Sequence, residues 1–584
     1  MLDISEGAGQ IQAGRKRDVL LAAVIGFVTL LAYFRTFGFE FVYDDSILIA
    51  RNPAVLTGGH FWEYFSADAV RGFAVPLAHI YYRPLLLVWW RLNFLLFGLQ
   101  PQGWHVTAVL LHVLATLLVY AVGRSVRLSR TGAAMAALIF GLHPLHVETA
   151  AWVSGAADSL YAIFVLASFL LFLRWFQGAG KINFAGSLLL YAAATLCKET
   201  AIVFPAIVFS YGWIEASPRP SPFWKNMWDR CAAGLRAGAG HALVGIGYLG
   251  VRRLVLGVFT GNMEDIGWST IVLTWPKILC FQLMHVVFPV RLSEAYMVRY
   301  VSRPSENGFC LPLLALLACA LVLYAWQRKA DTKMVRMAGV WFLLPLLPTL
   351  NLNAFRIGEF VHDRFLYVSV MGMALLVGLA ADKLKGWARF ATFPFPGAAA
   401  CVLVGGILFG LTVVQAGVWK NDLTLFSRAY QFSPHSRSAS SNLARVLGRQ
   451  GRLAEAKEVY LRSLQEWPME WITNYNYGYF SYGNGDMSEA EKYLLRAIEI
   501  YPDNDLEHYY LGLTWYKMGL REKAIASVQK AVAINPGAKG YNFTLGFLMR
   551  EAGNEMGACM AFQKELGLDP ANAQAAAQYR RCIQ

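Results

Sequence analysis

Charged residues are what this sequence has least of: 15% of 584, with 38 acidic against 52 basic side chains. So few charges, with 56% apolar residues and a mean hydropathy of +0.40, exclude a disordered chain and an ordinary soluble enzyme. The class is an integral membrane protein. The net charge of +14 then belongs in cytoplasmic loops, and nucleic acid is not an expected partner. Cysteine is also scarce. The 8 cysteines form no CxxC pair and no His/Cys cluster, which argues against a metal site and against a disulfide framework. A cleavage site is missing as well. Arg15-Lys16-Arg17 precedes an apolar run, but no small-residue site follows it. Residues 19–36 are therefore expected to stay as a first spanning helix behind a cytoplasmic segment 1–18.

Apolar runs recur up to residue 418, near 19–36, 104–123, 131–146, 159–176, 184–197, 200–214, 238–258, 310–327, 337–351, 366–382 and 397–418, eleven in all. Segments 85–98 and 271–290 are apolar too, but they contain Arg91, Pro276, Lys277 and His285 and read as interfacial or re-entrant. With the N-terminus inside, every inner segment is basic, from Arg15-Lys16-Arg17 through Arg124, Arg127 and Arg130 to Lys329, Lys383 and Arg389. The outer connections hold Asp44, Asp45, Glu63, Asp68, Glu148, Asp158, Glu264, Asp265 and Asp363, and the first of them, 37–103, is large.

Beyond residue 418 the pattern changes. Pro434, Pro468, Pro502, Pro536 and Pro570 are each 34 residues apart, as are Gly451, Gly485, Gly519 and Gly553, and Ala456, Ala490, Ala524 and Ala558. That period marks tetratricopeptide (TPR) repeats, in which small residues let two helices pack closely and proline ends the second. Four repeats cover 437–570 within a domain 420–584, with a partial leading unit before them and a cap over 571–584. Tyr475, Tyr477, Tyr479, Tyr509 and Tyr510 fall on first helices, which line the groove of such arrays; Tyr477 occupies a packing position.

Three groups can carry chemistry. Asp44-Asp45, just after the first span, either caps a short helix near Ser46–Ala50 or provides a general base whose pKa is raised at a semi-apolar interface. His143-Pro144-Leu145-His146-Val147-Glu148, followed by Asp158, has two histidines three apart, but Pro144 breaks the helix that a zinc pair would need, so a polar loop lining a cleft is the reading. Arg83, Lys198, Arg291 and Arg364 lie at or near the outer interface and either clamp a phosphate or pair locally, Lys198 with Glu199 and Arg364 with Asp363. His105, His112 and His285, alone on apolar stretches, read as packing residues.

Tyr43-Asp44-Asp45, then Tyr82-Arg83-Pro84-Leu85, the His143–Glu148 run with Trp152–Asp158, Lys198-Glu199-Thr200 and Asp363-Arg364-Phe365-Leu366-Tyr367, in that order and followed by TPRs, resemble the transmembrane and TPR-repeat-containing protein O-mannosyltransferases. The resemblance implies an all-α fold: a polytopic GT-C-type body over 19–418 and a TPR α-solenoid. It implies a hexosyltransferase that moves a sugar, mannose, from a polyprenyl-phosphate donor to Ser or Thr hydroxyls of extracytoplasmic proteins with inversion and no metal cofactor. Asp44 and Asp45 would supply the base, Asp44 the favoured one. Arg83, Lys198, Arg364 and Arg291 would hold the donor phosphate. Tyr43, His143, His146, Glu148, Asp158, Glu199, Asp363 and Tyr367 would line the cleft. The TPR groove would take the acceptor. Asp363 stands where the family would have Glu, and the array is short. Compact loops and a short array point to a bacterial inner membrane with a periplasmic TPR domain. Two other readings stay open: a GT-C transferase acting on a lipid or surface glycan, and a membrane-anchored TPR scaffold without catalysis.

Overall fold

A computed structural model describes residues 2–58, 61–66, 81–216, 222–259, 265–328, 331–355, 359–387 and 396–583. Asp68, Glu264, Lys329 and Arg389 lie outside them. The described residues are helical and contain no strand, as a chain in lipid requires when every backbone group must find its partner within the segment. Contacts divide the chain into two units, a membrane unit up to Phe432 and a repeat unit from Ser433.

The membrane unit begins with α1 (Leu2–Tyr33), α2 (Asp45–Leu48), α3 (Pro53–Leu56), α4 (Pro84–Phe97), α5 (Pro101–Ser125), α6 (Arg130–Gly141), α7 (Val147–Ala151) and α8 (Ala157–Phe176). It continues with α9 (Lys181–Cys197), α10 (Phe204–Glu215), α11 (Phe223–Leu256), α12 (Trp268–Val287), α13 (Asn307–Gln327), α14 (Thr332–Leu343), α15 (Val370–Trp387), α16 (Pro396–Ala416) and α17 (Asp422–Phe432). Seven helices among the described residues are long and apolar enough to cross a membrane, in α1, α5, α8, α12, α13, α14 with its extension to Leu350, and α16; the others are shorter or more polar.

Polar bonds sort the connections to two ends. At one end Asp18 receives Arg130 and Tyr120, the Ser129 backbone N–H donates to Asp382 at 2.8 Å, and Lys333 pairs with Glu215 at 2.8 Å. At the other end Ser154 donates to Asp45, Arg83 to Glu199, Lys198 to Asp158, and the Arg364 backbone to Glu148. Helix α12 meets the length criterion for a span, yet both its ends are tied to the Asp45 end. Ile266 N, just before it, donates to Asn353 Oδ1 at 2.7 Å, and Val286 O, in its last turn, meets His143 Nε2 at 2.9 Å. The stretch 288–302 then runs back beside α12, with Val301 N donating to Thr274 Oγ1 and Lys277 Nζ to Arg299 O.

The histidines on apolar stretches are packing residues. His112 is fully buried, with its ring nitrogens at 2.8 Å from Tyr367 OH and 3.0 Å from Gly141 O. His105 meets Glu40 O at 3.3 Å, and His285 meets Phe281 O at 2.9 Å.

The repeat unit contains α18 (Arg437–Arg449), α19 (Leu453–Glu466), α20 (Trp471–Gly483), α21 (Met487–Ile500), α22 (Asp505–Lys517), α23 (Arg521–Ile534), α24 (Tyr541–Glu551), α25 (Glu555–Leu568) and α26 (Ala573–Arg580). Ala456, Ala490, Ala524 and Ala558 are all fully buried at helix contacts. The four periodic glycines are there for a different reason. Gly451, Gly485, Gly519 and Gly553 have φ of +78°, +85°, +81° and +81°, and a Cβ on any of them would meet nothing within 4 Å. They supply the left-handed turn between paired helices. Close approach falls to another set with the same spacing, Gly478, Gly512 and Gly546, where a Cβ would come within 2.8, 2.5 and 2.7 Å of Leu494, Val528 and Phe562.

Two features depart from what the sequence leads one to expect. Cys559 and Cys582 form a disulfide with a Cα–Cα distance of 5.9 Å. Their spacing carries no signature, because they meet only when α26 folds back on α25. The leading segment 420–433 forms a helix, α17, but it packs with the membrane unit, where Asp422 Oδ1 accepts from Tyr43 N at 2.8 Å and Phe426 lies edge-on to the Tyr43 ring.

Candidate functional site

Asp44 and Asp45 follow Tyr43, which has φ +57°. A left-handed non-glycine residue costs roughly 1–2 kcal/mol, a strain that here turns the chain between two anchored rings. The Tyr43 ring packs on Trp152 at 5.4 Å and Phe426 at 5.8 Å. After this turn the two carboxylates part company. Asp45 is fully buried; its Oδ1 accepts from Ser154 N at 2.8 Å and Ser154 Oγ at 2.6 Å, and its Oδ2 from Val42 N at 3.2 Å. Burial pushes its carboxyl up to about 7 against the pull of those bonds. Asp44 is half-buried and occupies the N-cap position of α2, but its side chain makes no cap bond. The helix itself begins at Asp45 and ends at Leu48, shorter than the Ser46–Ala50 expected from sequence.

Three cations gather from three separate connections, each facing a carboxylate. Arg83 grips Glu199 with two bonds, 2.9 and 2.6 Å, and lies 4.5 Å over the Tyr81 ring. Lys198 Nζ reaches both oxygens of Asp158, at 2.6 and 2.7 Å, in a pair that is almost wholly buried. Arg364 binds Glu148 through its backbone N–H at 2.9 Å and through its guanidinium, which also lies 5.3 Å over Trp152. The pairs are therefore not the sequence-adjacent ones, Lys198 with Glu199 and Arg364 with Asp363. Arg83 holds the Glu199 carboxyl down to about 2, whereas burial raises those of Glu148 and Asp363. The pairs share one field, since Arg83, Glu148 and Arg364 all feel the charge of Asp158. Arg291 is exposed, on the stretch after α12.

Several residues expected to line a cleft are buried. His143 and His146 are buried; His143 holds Val286 O and the Leu145 N–H, and His146 lies between Phe140 O and Tyr367 O. Tyr367 is fully buried against His112 and Ser159. Asp363 accepts from Tyr296 OH at 2.8 Å. These groups lock the connections in register and turn their polar atoms inward. Among the described residues, no three His, Cys, Asp or Glu side chains are placed to hold a metal ion.

One member escaped the sequence reading. Glu294 is 2% exposed, Tyr43 donates to its carboxyl, and its charged neighbours are Glu359, Glu148 and Arg364. Its only signal is a carboxylate set in the apolar and aromatic run Leu292-Ser293-Glu294-Ala295-Tyr296.

In the repeat unit Tyr477 is fully buried in the core, as its position implies. Tyr475, Tyr479 and Tyr510 form a contiguous aromatic group, with Tyr479 exposed and Tyr510 4.6 Å from it.

Comparison with known proteins agrees with this architecture. Residues 83–233 match the family described as dolichyl-phosphate-mannose-protein mannosyltransferase, and residues 441–505 match a tetratricopeptide repeat. The first match begins at Arg83 and takes in Glu148, Asp158, Lys198 and Glu199; Asp44, Asp45 and Arg364 lie outside it. The chain is 28% identical to protein O-mannosyl-transferase TMTC1 of Homo sapiens, over 79% of this chain and 57% of that protein. It is 27% identical to TMTC4 of Mus musculus, over 75% and 65%. It is 33% identical to Tmtc1 of Drosophila melanogaster over a shorter stretch, 32% of this chain and 22% of that one. The chain thus spans under two thirds of the length of these relatives. A TPR protein of Thermus thermophilus is similar at 23% identity and a TM-score of 0.24, covering 31% of this chain and 96% of that one. The bundle with its charged end, the repeats and the sequence matches agree: the chain is a multi-pass membrane protein similar in sequence to the TMTC protein O-mannosyl-transferases.

Proposed function

We propose that this chain transfers a sugar, mannose, from a polyprenyl-phosphate donor to Ser or Thr hydroxyls of proteins outside the cytoplasm. Asp44 takes the hydroxyl proton as general base; the hydroxyl oxygen attacks the anomeric carbon, the bond from that carbon to phosphate breaks, and polyprenyl phosphate leaves with the electron pair. One displacement inverts the anomeric centre. Arg83, Lys198 and Arg364 stabilise the charge on the departing phosphate, which is where such cations act most strongly. The observation that carries the reading is the split between the two aspartates. Asp45 is fully buried and held by Ser154 and Val42, and Asp44, half-buried, is the more accessible of the two carboxylates within the same charged end.

The basic connections support one orientation, and so does the disulfide Cys559–Cys582, of a kind that persists in oxidising compartments. On this proposal the Asp45 end and the repeats lie outside the cytoplasm, in a bacterial inner membrane on the reading of the compact loops. Eleven crossings, with α4 and α12 lying at the interface, satisfy both ends of the bundle. The repeat groove presents the acceptor.

The test is transfer of hexose to extracytoplasmic peptides, read by mass spectrometry, in wild type, Asp44→Asn and Asp45→Asn. Asp44→Asn is expected to lower kcat by about 10²–10⁴. Asp45→Asn keeps an acceptor oxygen for Ser154 and is expected to stay within about tenfold. Full activity in Asp44→Asn overturns the assignment of the base. A wild type that modifies nothing, while the repeats retain a bound complex, favours a scaffold.

A further inference from the structure

Within the charged end, one oxygen of the Glu294 carboxyl is buried without a hydrogen-bond partner among the described residues. Glu294 is fixed from two directions. Its backbone carbonyl meets His362 Nδ1 at 3.1 Å, and the stretch around it is pinned by Ser293 N to Tyr296 OH at 2.8 Å, which in turn donates to Asp363. Tyr43 donates to the side chain, but Oε2 is buried and has no hydrogen-bond partner among the described residues. Native proteins rarely leave a buried acceptor so, because it forfeits water without recompense. The cation whose charge Glu294 feels, Arg364, is engaged by Glu148.

The surroundings specify what Oε2 would accept. An anion is excluded, since Glu148 and Glu359 add negative charge around Glu294. A neutral donor suits it, and a sugar ring presents several hydroxyls. We propose that Glu294 is a specificity-determining contact for the transferred sugar, its Oε2 accepting a ring hydroxyl of the donor. This rests on the transferase reading and deepens it: Asp44 works on the acceptor, the cations on the phosphate, and Glu294 on the sugar between them. Tyr43 links the two acids, being adjacent to Asp44 in sequence and donating to Glu294.

The experiment uses the full chain in lipid nanodiscs with polyprenyl-phosphate mannose, polyprenyl-phosphate glucose and sugar-free polyprenyl phosphate. Glu294→Ala is expected to raise the KM for the mannose donor by roughly 2- to 10-fold, the value of one hydrogen bond to a neutral carboxyl group. It should leave kcat within about threefold and narrow the preference for mannose over glucose. Inhibition by sugar-free polyprenyl phosphate should be unchanged, because that probe has no ring hydroxyl. Glu294→Gln, which keeps an acceptor oxygen in place, should restore most of the KM. A fall in kcat at constant KM would make Glu294 an acid–base residue and overturn the proposal. Parallel weakening of the sugar-free inhibitor would overturn it too, because the effect would then be structural. If the wild type uses neither donor, the transferase reading fails and this one with it; if it uses them and Glu294→Ala matches it, this proposal alone fails.

Discussion

The pair Lys198–Asp158 gives the sharpest separation of structure from function. Its side chains are 7% and 3% exposed, and Nζ touches both carboxylate oxygens, at 2.6 and 2.7 Å. Removing either partner strands a buried charge, which costs about 3–5 kcal/mol. Asp158→Asn and Lys198→Met should each destabilise the chain by that amount, while the double variant, with no charge to strand, should return to within about 1–2 kcal/mol of wild type. The coupling energy is therefore about 3 kcal/mol or more, read from unfolding of the four proteins by tryptophan fluorescence in one detergent. Coupling below about 0.5 kcal/mol would mean that the pair does not form, and the packing of α8 against α9 would be wrong. The double variant also decides whether Lys198 acts in transfer. If it folds as wild type and transfers sugar at the wild-type rate, Lys198 is a strut and leaves the phosphate clamp. If it folds and its donor KM rises, Lys198 serves both roles.

The other predictions are simpler. Arg364→Ala should raise the donor KM, and Arg364→Lys should rescue little of it, because a lysine cannot reproduce the two-sided grip on Glu148, read from initial rates. Reducing Cys559–Cys582, or Cys559→Ser, should destabilise the cap by about 3 kcal/mol for a closed loop of 23 residues and speed amide exchange over 555–583, leaving kcat unchanged. Gly519→Ala should cost about 1 kcal/mol for its left-handed backbone, while Gly512→Ala should cost more because Val528 and the Ala524 carbonyl stand in its way; denaturant melts rank the two. Asp45 and Glu294 are pushed up to about 7 and 8, above the ordinary carboxyl range, so the folded state holds protons that the unfolded chain gives up. Stability should be full below about pH 4 for these two groups and be lost as pH rises through 7–8. Melting should thus be lower at pH 8.5 than at pH 6, with a smaller gap in the double variant Asp45→Asn/Glu294→Gln.

Local chemistry was legible in the sequence and distant pairing was not. The period of 34 gives every repeat helix, because each unit repeats the same short-range packing. Apolar runs and basic connections give the alternation of the bundle, because each is a property of one segment. Gly451 and its equivalents answer to φ and not to crowding, and spacing alone cannot tell the two apart. Adjacent residues suggested ion pairs, but Lys198 pairs 40 residues away, Arg83 116 away and Arg364 216 away, distances set by which connections share an end. The disulfide and Glu294 went unread for the same reason. Each acquires its meaning from a neighbour far off in the chain.

That reach sets a timetable for synthesis. Glu148 is made 216 residues before the arginine that receives it. At about 5–20 residues per second the carboxylate waits roughly 10–40 s for its cation. Through that interval α7 has neither its guanidinium nor the Arg364 backbone N–H. The charged end closes when α15 is threaded, as the last clasp of a structure most of whose helices are already in place. A ribosome-stalled chain ending before residue 364 should leave a cysteine placed at 148 open to a water-soluble maleimide, and one that also includes α15 should protect it.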